Sequence, residues 1–411
     1  MSEKKRDLSR RDFLKATGAA GIGSLLSTRA SLAGKPGQFV KKQAEHSLVP
    51  TRPFGKTGVS VSCLSLGGIF DITSNQLVLR QALERGVTYW DTATGYVGGK
   101  SEIGIGKYFE KYPEARKKVF LVTKSGASSS RGMTTHLNRS FERMKTDYTD
   151  LFFMHAVSGI GEVDDEMKAW AEKAKSAGKI RFFGFSTHSN MEECLLGAAK
   201  LGWIDGIMMT YNYRVMHTDQ MKAAVDACAR AGIGLTAMKT QAGSVWHRVG
   251  KENEAAQGLT ERFVKRGFTE EQAKLKAVWE NPNIASICSQ MANLKILMSN
   301  VAAAMDRTKL SVDDMDALDH YAHETSPGYC AGCSRICEPA CSGHVPIADT
   351  LRYLMYYHSY GDCDWARALF AMLPGQTRKR MSTMDYSLAE RRCPQGIPIG
   401  KLMMEAGEIL A

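Results

Sequence analysis

Thr88-Tyr89-Trp90-Asp91-Thr92-Ala93-Thr94-Gly95-Tyr96, Phe120-Leu121-Val122-Thr123-Lys124 and Leu151-Phe152-Phe153-Met154-His155 are three short apolar runs, each delivering a polar side chain at its end. Short apolar runs bounded by turn formers read as strands buried on both faces, the habit of a parallel sheet. Outward from these three, the same pattern recurs at 60–66, 181–185, 206–210, 234–238 and 285–289. Amphipathic stretches fall between the strands, among them 76–84, 135–144, 165–177 and 220–231. Several close on an Arg-Gly or Ala-Gly step, where glycine caps a helix before the next strand. Eight strand–helix units in about 250 residues predict an α/β fold of the (β/α)8, or TIM, barrel type. No glycine-rich phosphate loop follows the first strand, which argues against a doubly wound sheet. Gly104-Ile105-Gly106 falls inside a helical stretch and reads as a packing feature.

The 411 residues exceed what one barrel needs, and 44% hydrophobic against 24% charged composition excludes wholesale disorder. Formal net charge is +11. Part of it is concentrated in residues 1–33, which hold seven basic and three acidic side chains. Beyond them no block of like charge outruns Arg378-Lys379-Arg380, so a nucleic-acid footprint is not indicated. No stretch approaches the ~20 apolar residues of a membrane span. Ser9-Arg10-Arg11-Asp12-Phe13-Leu14-Lys15 resembles the twin-arginine export motif. A mildly apolar run, 16–27, and the small-residue site Ser31-Leu32-Ala33 complete a signal peptide over 1–33. The resemblance implies the twin-arginine translocase as a partner, a periplasmic destination, and folding with cofactor loading before export. The expected organisation is signal peptide 1–33, linker 34–51, barrel 52–310 and helical domain 320–411.

Barrel chemistry sits where strands deliver residues to the C-terminal mouth. Asp91, Lys124 and His155 occupy equivalent places on three consecutive strands, and Tyr96 lies on the loop just past Asp91. Here the chain resembles the aldo-keto reductase family. Gly86 to Ala93, followed by Tyr96-Val97-Gly98-Gly99-Lys100-Ser101-Glu102, is similar to its G-V-x-x-x-D-T-A-x-x-Y-G…S-E signature. Gly178 to Ser186 is similar to its G-K-x-R-x-x-G-x-S segment, and the likeness covers about 52–305. The resemblance implies a catalytic tetrad of Asp91, Tyr96, Lys124 and His155 and a small carbonyl or alcohol substrate. Reducing a carbonyl needs a hydride on carbon and a proton on oxygen. Tyr96 would give the proton, and its free pKa near 10 makes it sluggish unless a cation such as Lys124 lowers it. Asp91 would hold Lys124 charged, and His155 would orient the carbonyl.

The cofactor half departs from the family. The resemblance assigns the nicotinamide contacts to a Ser-Asn pair, a Gln and a stacking Tyr; this chain has Ser186-Thr187, Met208 and Met238 there, with Lys239 next. NAD(P)H is the candidate cofactor, and the sequence leaves NADPH, NADH and no dinucleotide all open.

Cys63, Cys194, Cys228 and Cys288 stand singly in barrel elements and read as small core residues. Cys330-x2-Cys333-x3-Cys337-x3-Cys341 is a metal signal, with zinc and iron–sulfur as candidates. The segment resembles an α-helical ferredoxin module, built of two C-x2-C-x2-C-x3-C-P halves. Cys393-Pro394 ends a second half whose other three positions are Thr383, Tyr386 and Ala389, none an iron ligand. The resemblance therefore implies one [4Fe–4S] cluster on Cys330, Cys333, Cys337 and Cys393, with Cys341 the rival fourth ligand, and a redox partner protein. Cys363 reads as structural. The alternative function is an electron-transfer or partner-binding protein whose barrel no longer uses a nicotinamide.

Overall fold

The computed structural model describes residues 48–246, 254–341 and 345–411; the signal peptide and most of the 34–51 linker lie outside them. Eight parallel strands close a barrel: β3 (Leu64–Gly67), β4 (Tyr89–Asp91), β5 (Phe120–Ser125), β6 (Thr149–Met154), β7 (Ile180–Thr187), β8 (Gly206–Thr210), β9 (Gly234–Met238) and β10 (Ile284–Gln290), with β10 pairing back onto β3. The expected first strand at 60–66 is divided. Ser60–Ser62 (β2) pairs antiparallel with Thr51–Pro53 (β1), and only Leu64–Gly67 enters the barrel. Unbroken alternation from Ser60 to Leu66 hid that break, at which Cys63 spends its N–H on Pro50 outside the barrel.

The β1–β2 hairpin carries Phe54 into the barrel. Its ring is fully buried, lying 5.7 Å from Phe120 and 6.4 Å from Tyr89, ring centre to ring centre. Gly206 and Gly234 are glycines because a Cβ at either would meet this ring. Strand residues alternate between faces with period two. Tyr89, Val122, Phe153 and Met208 thus form one inner cluster, while Trp90, Leu121 and Phe152 pack outward under the helices. The same alternation points Asp91, Lys124, His155 and Ser186 inward, one step closer to the mouth than Tyr89, Val122, Phe153 and Gly184.

Helices 76–84, 135–144, 165–177 and 220–231 are observed as Gln76–Glu84, Ser130–Met144, Asp165–Ser176 and Asp219–Arg230. The last three start on side-chain caps from Ser129, Asp164 and Thr218. Gly104 and Gly106 do pack: a Cβ there would meet Ile72 and the Arg143 carbonyl, respectively. After Val312–Glu324 the chain becomes all-helical. Ile347–Met355 and Ile399–Ile409 form the spine of a second core that includes Leu351, Leu354, Phe370, Leu402 and Met403. Val245, from the loop after β9, belongs to this core and joins the two parts. No helix among the described residues is long and apolar enough to cross a membrane.

Candidate functional site

β4 ends on Asp91, and the chain then turns through Tyr96–Gly99, where Val97, Gly98 and Gly99 all have positive φ. Two buried contacts hold this turn. Thr92 and Ser101 share a hydroxyl–hydroxyl bond of 2.7 Å. Glu102 accepts from Thr123 at 2.8 Å and from Arg143 at 3.1 Å, while Arg143 also donates to the Thr94 carbonyl. Gly99 is at φ +91°, a left-handed conformation that residues with a side chain rarely adopt. The Asp-Thr-Ala…Ser-Glu pattern is therefore a scaffold for the residue it brackets, Tyr96.

The structure brings the four expected residues together. Lys124 Nζ donates to Asp91 Oδ2 at 2.6 Å, to the Thr92 carbonyl at 2.9 Å and to Tyr96 Oη at 3.3 Å. Asp91 and Lys124 are almost wholly buried as an ion pair, and such pairs persist when further hydrogen bonds satisfy them. The His155 ring stands edge-on to Tyr96, 5.7 Å between centres. Burial, helped by the nearby cations led by Lys124, lowers the His155 pKa to about 3, so the imidazole is neutral at physiological pH. Burial, and secondarily the Asp91 charge, raise the Tyr96 phenol well above its usual 10. This differs from the expectation that Lys124 lowers it. Lysine and aspartate form a net-neutral pair, so the lysine's field at Tyr96 is largely cancelled. Cys288 on β10, read from sequence as a plain core residue, lies within electrostatic reach of Asp91, and burial pushes its thiol far up.

The five residues expected at the nicotinamide do not assemble a grip on a carboxamide. Ser186 Oγ accepts from Ala156 N–H at 3.0 Å, and Thr187 exchanges hydrogen bonds with the Ser189 backbone. Met208 is buried in the barrel cluster and Met238 packs against it. Lys239 donates to Tyr356 Oη at 2.8 Å, and Tyr356 comes from the helical domain. The residues present do not fit a nicotinamide held in the manner the resemblance implies. Tyr356 left no local signal in the sequence, because its contact spans 117 positions.

Cys330, Cys333, Cys337 and Cys393 line one small apolar pocket with Ile347, Leu351 and Ile399. Burial leads in raising the Cys330, Cys333 and Cys337 thiols, with the neighbouring pocket cysteines adding to it. Cys341 is elsewhere: its Sγ donates to the Asp385 carbonyl at 3.7 Å, and its charged neighbours are Asp385 and Glu338. Cys363 is half-buried and bonds the Tyr357 carbonyl. None of the ten cysteines forms a disulfide. Among the described residues no group of three or more His, Cys, Asp or Glu is arranged to hold a metal ion.

The site is thus a Lys–Asp pair, a tyrosine and a neutral histidine at the mouth of a closed parallel barrel. A family model described as the aldo/keto reductase family matches residues 67–321, and the chain belongs to that family. A second model, for the twin-arginine translocation pathway signal sequence, matches residues 7–27, which marks the protein for export across a membrane. An aldo-keto reductase of Fusarium vanettenii is 27% identical over 244 residues, covering 48% of this chain and 65% of the relative. One from Gibberella moniliformis is 30% identical over 174 residues, covering 40% and 50%. The chain thus spans half to two thirds of the length of these curated relatives. Among solved structures, aldo-keto reductase AKR11C1 from Bacillus halodurans (holo form) superposes with a TM-score of 0.56 at 21% identity, covering 66% of this chain and 96% of that one. That likeness is one of fold.

Proposed function

We propose that the chain is an exported aldo/keto reductase-type oxidoreductase that interconverts a small-molecule carbonyl and alcohol, coupled to one [4Fe–4S] cluster. The observation that carries this reading is the Asp91–Lys124–Tyr96 chain of hydrogen bonds with His155 at its side. Reduction places a hydride equivalent, two electrons and a proton from a two-electron donor such as NAD(P)H, on the carbonyl carbon and a second proton on the oxygen. Tyr96, protonated because burial raises its pKa, gives one proton to the oxygen and takes it back in oxidation. Neutral His155 donates a hydrogen bond to that oxygen, and Asp91 fixes Lys124 beneath the phenol.

The residues that would hold an iron–sulfur cluster are Cys330, Cys333, Cys337 and Cys393, and what supports this reading is that they share one apolar pocket with no carboxylate in its lining. Bound there, a cluster supplies one-electron transfer, with a redox partner protein as the external source. We assign the mature protein to the periplasm, with signal peptide 1–33, linker 34–51, barrel 52–310 and cluster domain 320–411. The Lys239–Tyr356 contact favours a second reading, an electron-transfer or partner-binding protein whose barrel uses no nicotinamide. A panel of aldehydes and alcohols, assayed with NADH, NADPH or a one-electron dye, separates the two. Turnover that disappears in Tyr96→Phe supports the enzyme; absence of turnover with every donor supports the second reading.

A further inference from the structure

Behind the tetrad a second pocket lies in the seam between the barrel mouth and the helical domain. Its barrel wall holds His188 after β7, Thr210 at the end of β8 and Lys239 after β9; its domain wall holds Tyr329, Cys330 and Arg352. The lining contains two basic side chains, Lys239 and Arg352, and no carboxylate. Lys239 makes no ion pair with a carboxylate among the described residues, and its 2.8 Å partner is the phenol of Tyr356. Arg352 meets one carboxylate, Asp349, at 2.8 Å, on a single Nη, leaving other N–H donors of its fork. Donors left over on both side chains face a recess whose lining offers them no carboxylate.

The backbone also holds Lys239 in a conformation it would not choose. Its φ is +55°, a region few side chains other than glycine adopt, and three positions later Ala242 is at +49°. Asn212 donates to the Lys239 carbonyl at 3.1 Å and to Tyr329 Oη at 2.9 Å, and Ala242 N–H donates to the same carbonyl at 3.0 Å. Strain kept in place by several independent bonds at a pocket wall points to use of the side chain it directs.

We propose that this seam pocket is a binding site for an oxyanion, the carboxylate or phosphoryl end of the barrel's substrate, held by Arg352 and Lys239 with Thr210 and His188 donating beside them. A guanidinium fork and an ammonium are suited to the two or three oxygens of such a group. Tyr356 Oη occupies Lys239 when the pocket is empty, and the anion takes its place. The substrate class is then an acidic aldehyde, ketone or alcohol, with its reacting carbon at Tyr96 and its anionic end in the seam. The assignment rests on the carbonyl-chemistry reading for the identity of the ligand, while the anion site itself does not.

The test has two arms. Calorimetric titration of the purified full-length protein with inorganic phosphate and with malonate should give saturable binding. Arg352→Gln and Lys239→Gln should each weaken it by tenfold or more, Arg352→Lys less, and Tyr96→Phe not at all. No saturable binding, or binding that survives both Gln variants in folded protein, overturns the site. In the second arm, kcat/KM for short oxo acids is compared with that for their methyl esters. A preference for the acids that disappears in Arg352→Gln supports the substrate assignment, whereas equal use of acid and ester overturns it. Failure of Tyr96→Phe to slow turnover would instead fall on the proposed chemistry, leaving the titration result untouched.

Discussion

In the proposed reaction Tyr96 is the residue on which the chemistry turns, and its surroundings set two expectations. Tyr96→Phe keeps the ring and removes the proton, so turnover of any substrate found should fall by about 10²–10⁴-fold with the fold intact, read as kcat beside an unchanged circular dichroism spectrum. Since burial holds the phenol protonated, carbonyl reduction should be flat through neutral pH, and alcohol oxidation should climb on the alkaline side. His155 gives a stability signature of the opposite kind. Its folded pKa of about 3 lies below the unfolded value near 6.5, so the unfolded chain binds the extra proton between them. Its contribution is complete above about pH 6.5 and drains as pH falls toward 3. Urea midpoints of wild type should therefore decline more steeply over that window than those of His155→Gln; parallel curves would contradict the assignment. Asp91, Lys124 and His155 were legible in the sequence because they fall at the ends of consecutive strands, where period-two alternation fixes which way they face, and Tyr96 because it follows Asp91 on the adjoining turn. Cys288 was not, since a thiol on a buried strand looks the same whether or not an aspartate meets it.

At the scale of elements, the loop between Cys330 and Cys333 is a joint between barrel and domain. Gly332 sits at φ +79°, and a Cβ there would run into the His188 carbonyl. Its own carbonyl accepts from Asn190 N–H at 3.0 Å, and the Asn190 side chain reaches both Ser158 and Ser334. Arg335 adds a 2.6 Å ion pair to Glu193. Gly332→Ala should cost about 1–3 kcal/mol, as overpacking against backbone does, and open the seam. Limited proteolysis should then release the helical domain faster than from wild type; equal rates would mean that the loop bears no load. The sequence indicated that both parts exist, through strand periodicity in one and cysteine spacing in the other. It held no sign of their docking, because Lys239–Tyr356, Asn212–Tyr329 and Asn190–Ser334 join positions more than a hundred residues apart. The splitting of 60–66 was equally hidden, for a strand and a hairpin arm share the same alternation.

For the whole molecule, a barrel, a helical domain and an export signal belong to one sequence of events if a cluster must be installed before transport. Replacing both Arg10 and Arg11 with Lys should leave folded protein in the cytoplasm, seen by fractionation; unchanged export would contradict the twin-arginine route. The proposed cluster would set this chain apart from a barrel acting alone, and the metal content of the protein tests that proposal most directly. Protein purified without oxygen should contain about four irons and four sulfides per chain. That content should be lost in Cys393→Ala and retained in Cys341→Ala, because Cys393 shares the pocket of Cys330, Cys333 and Cys337 while Cys341 bonds away toward Asp385. Zinc in place of iron, no metal at all, or iron that depends on Cys341 and not on Cys393 would contradict the account.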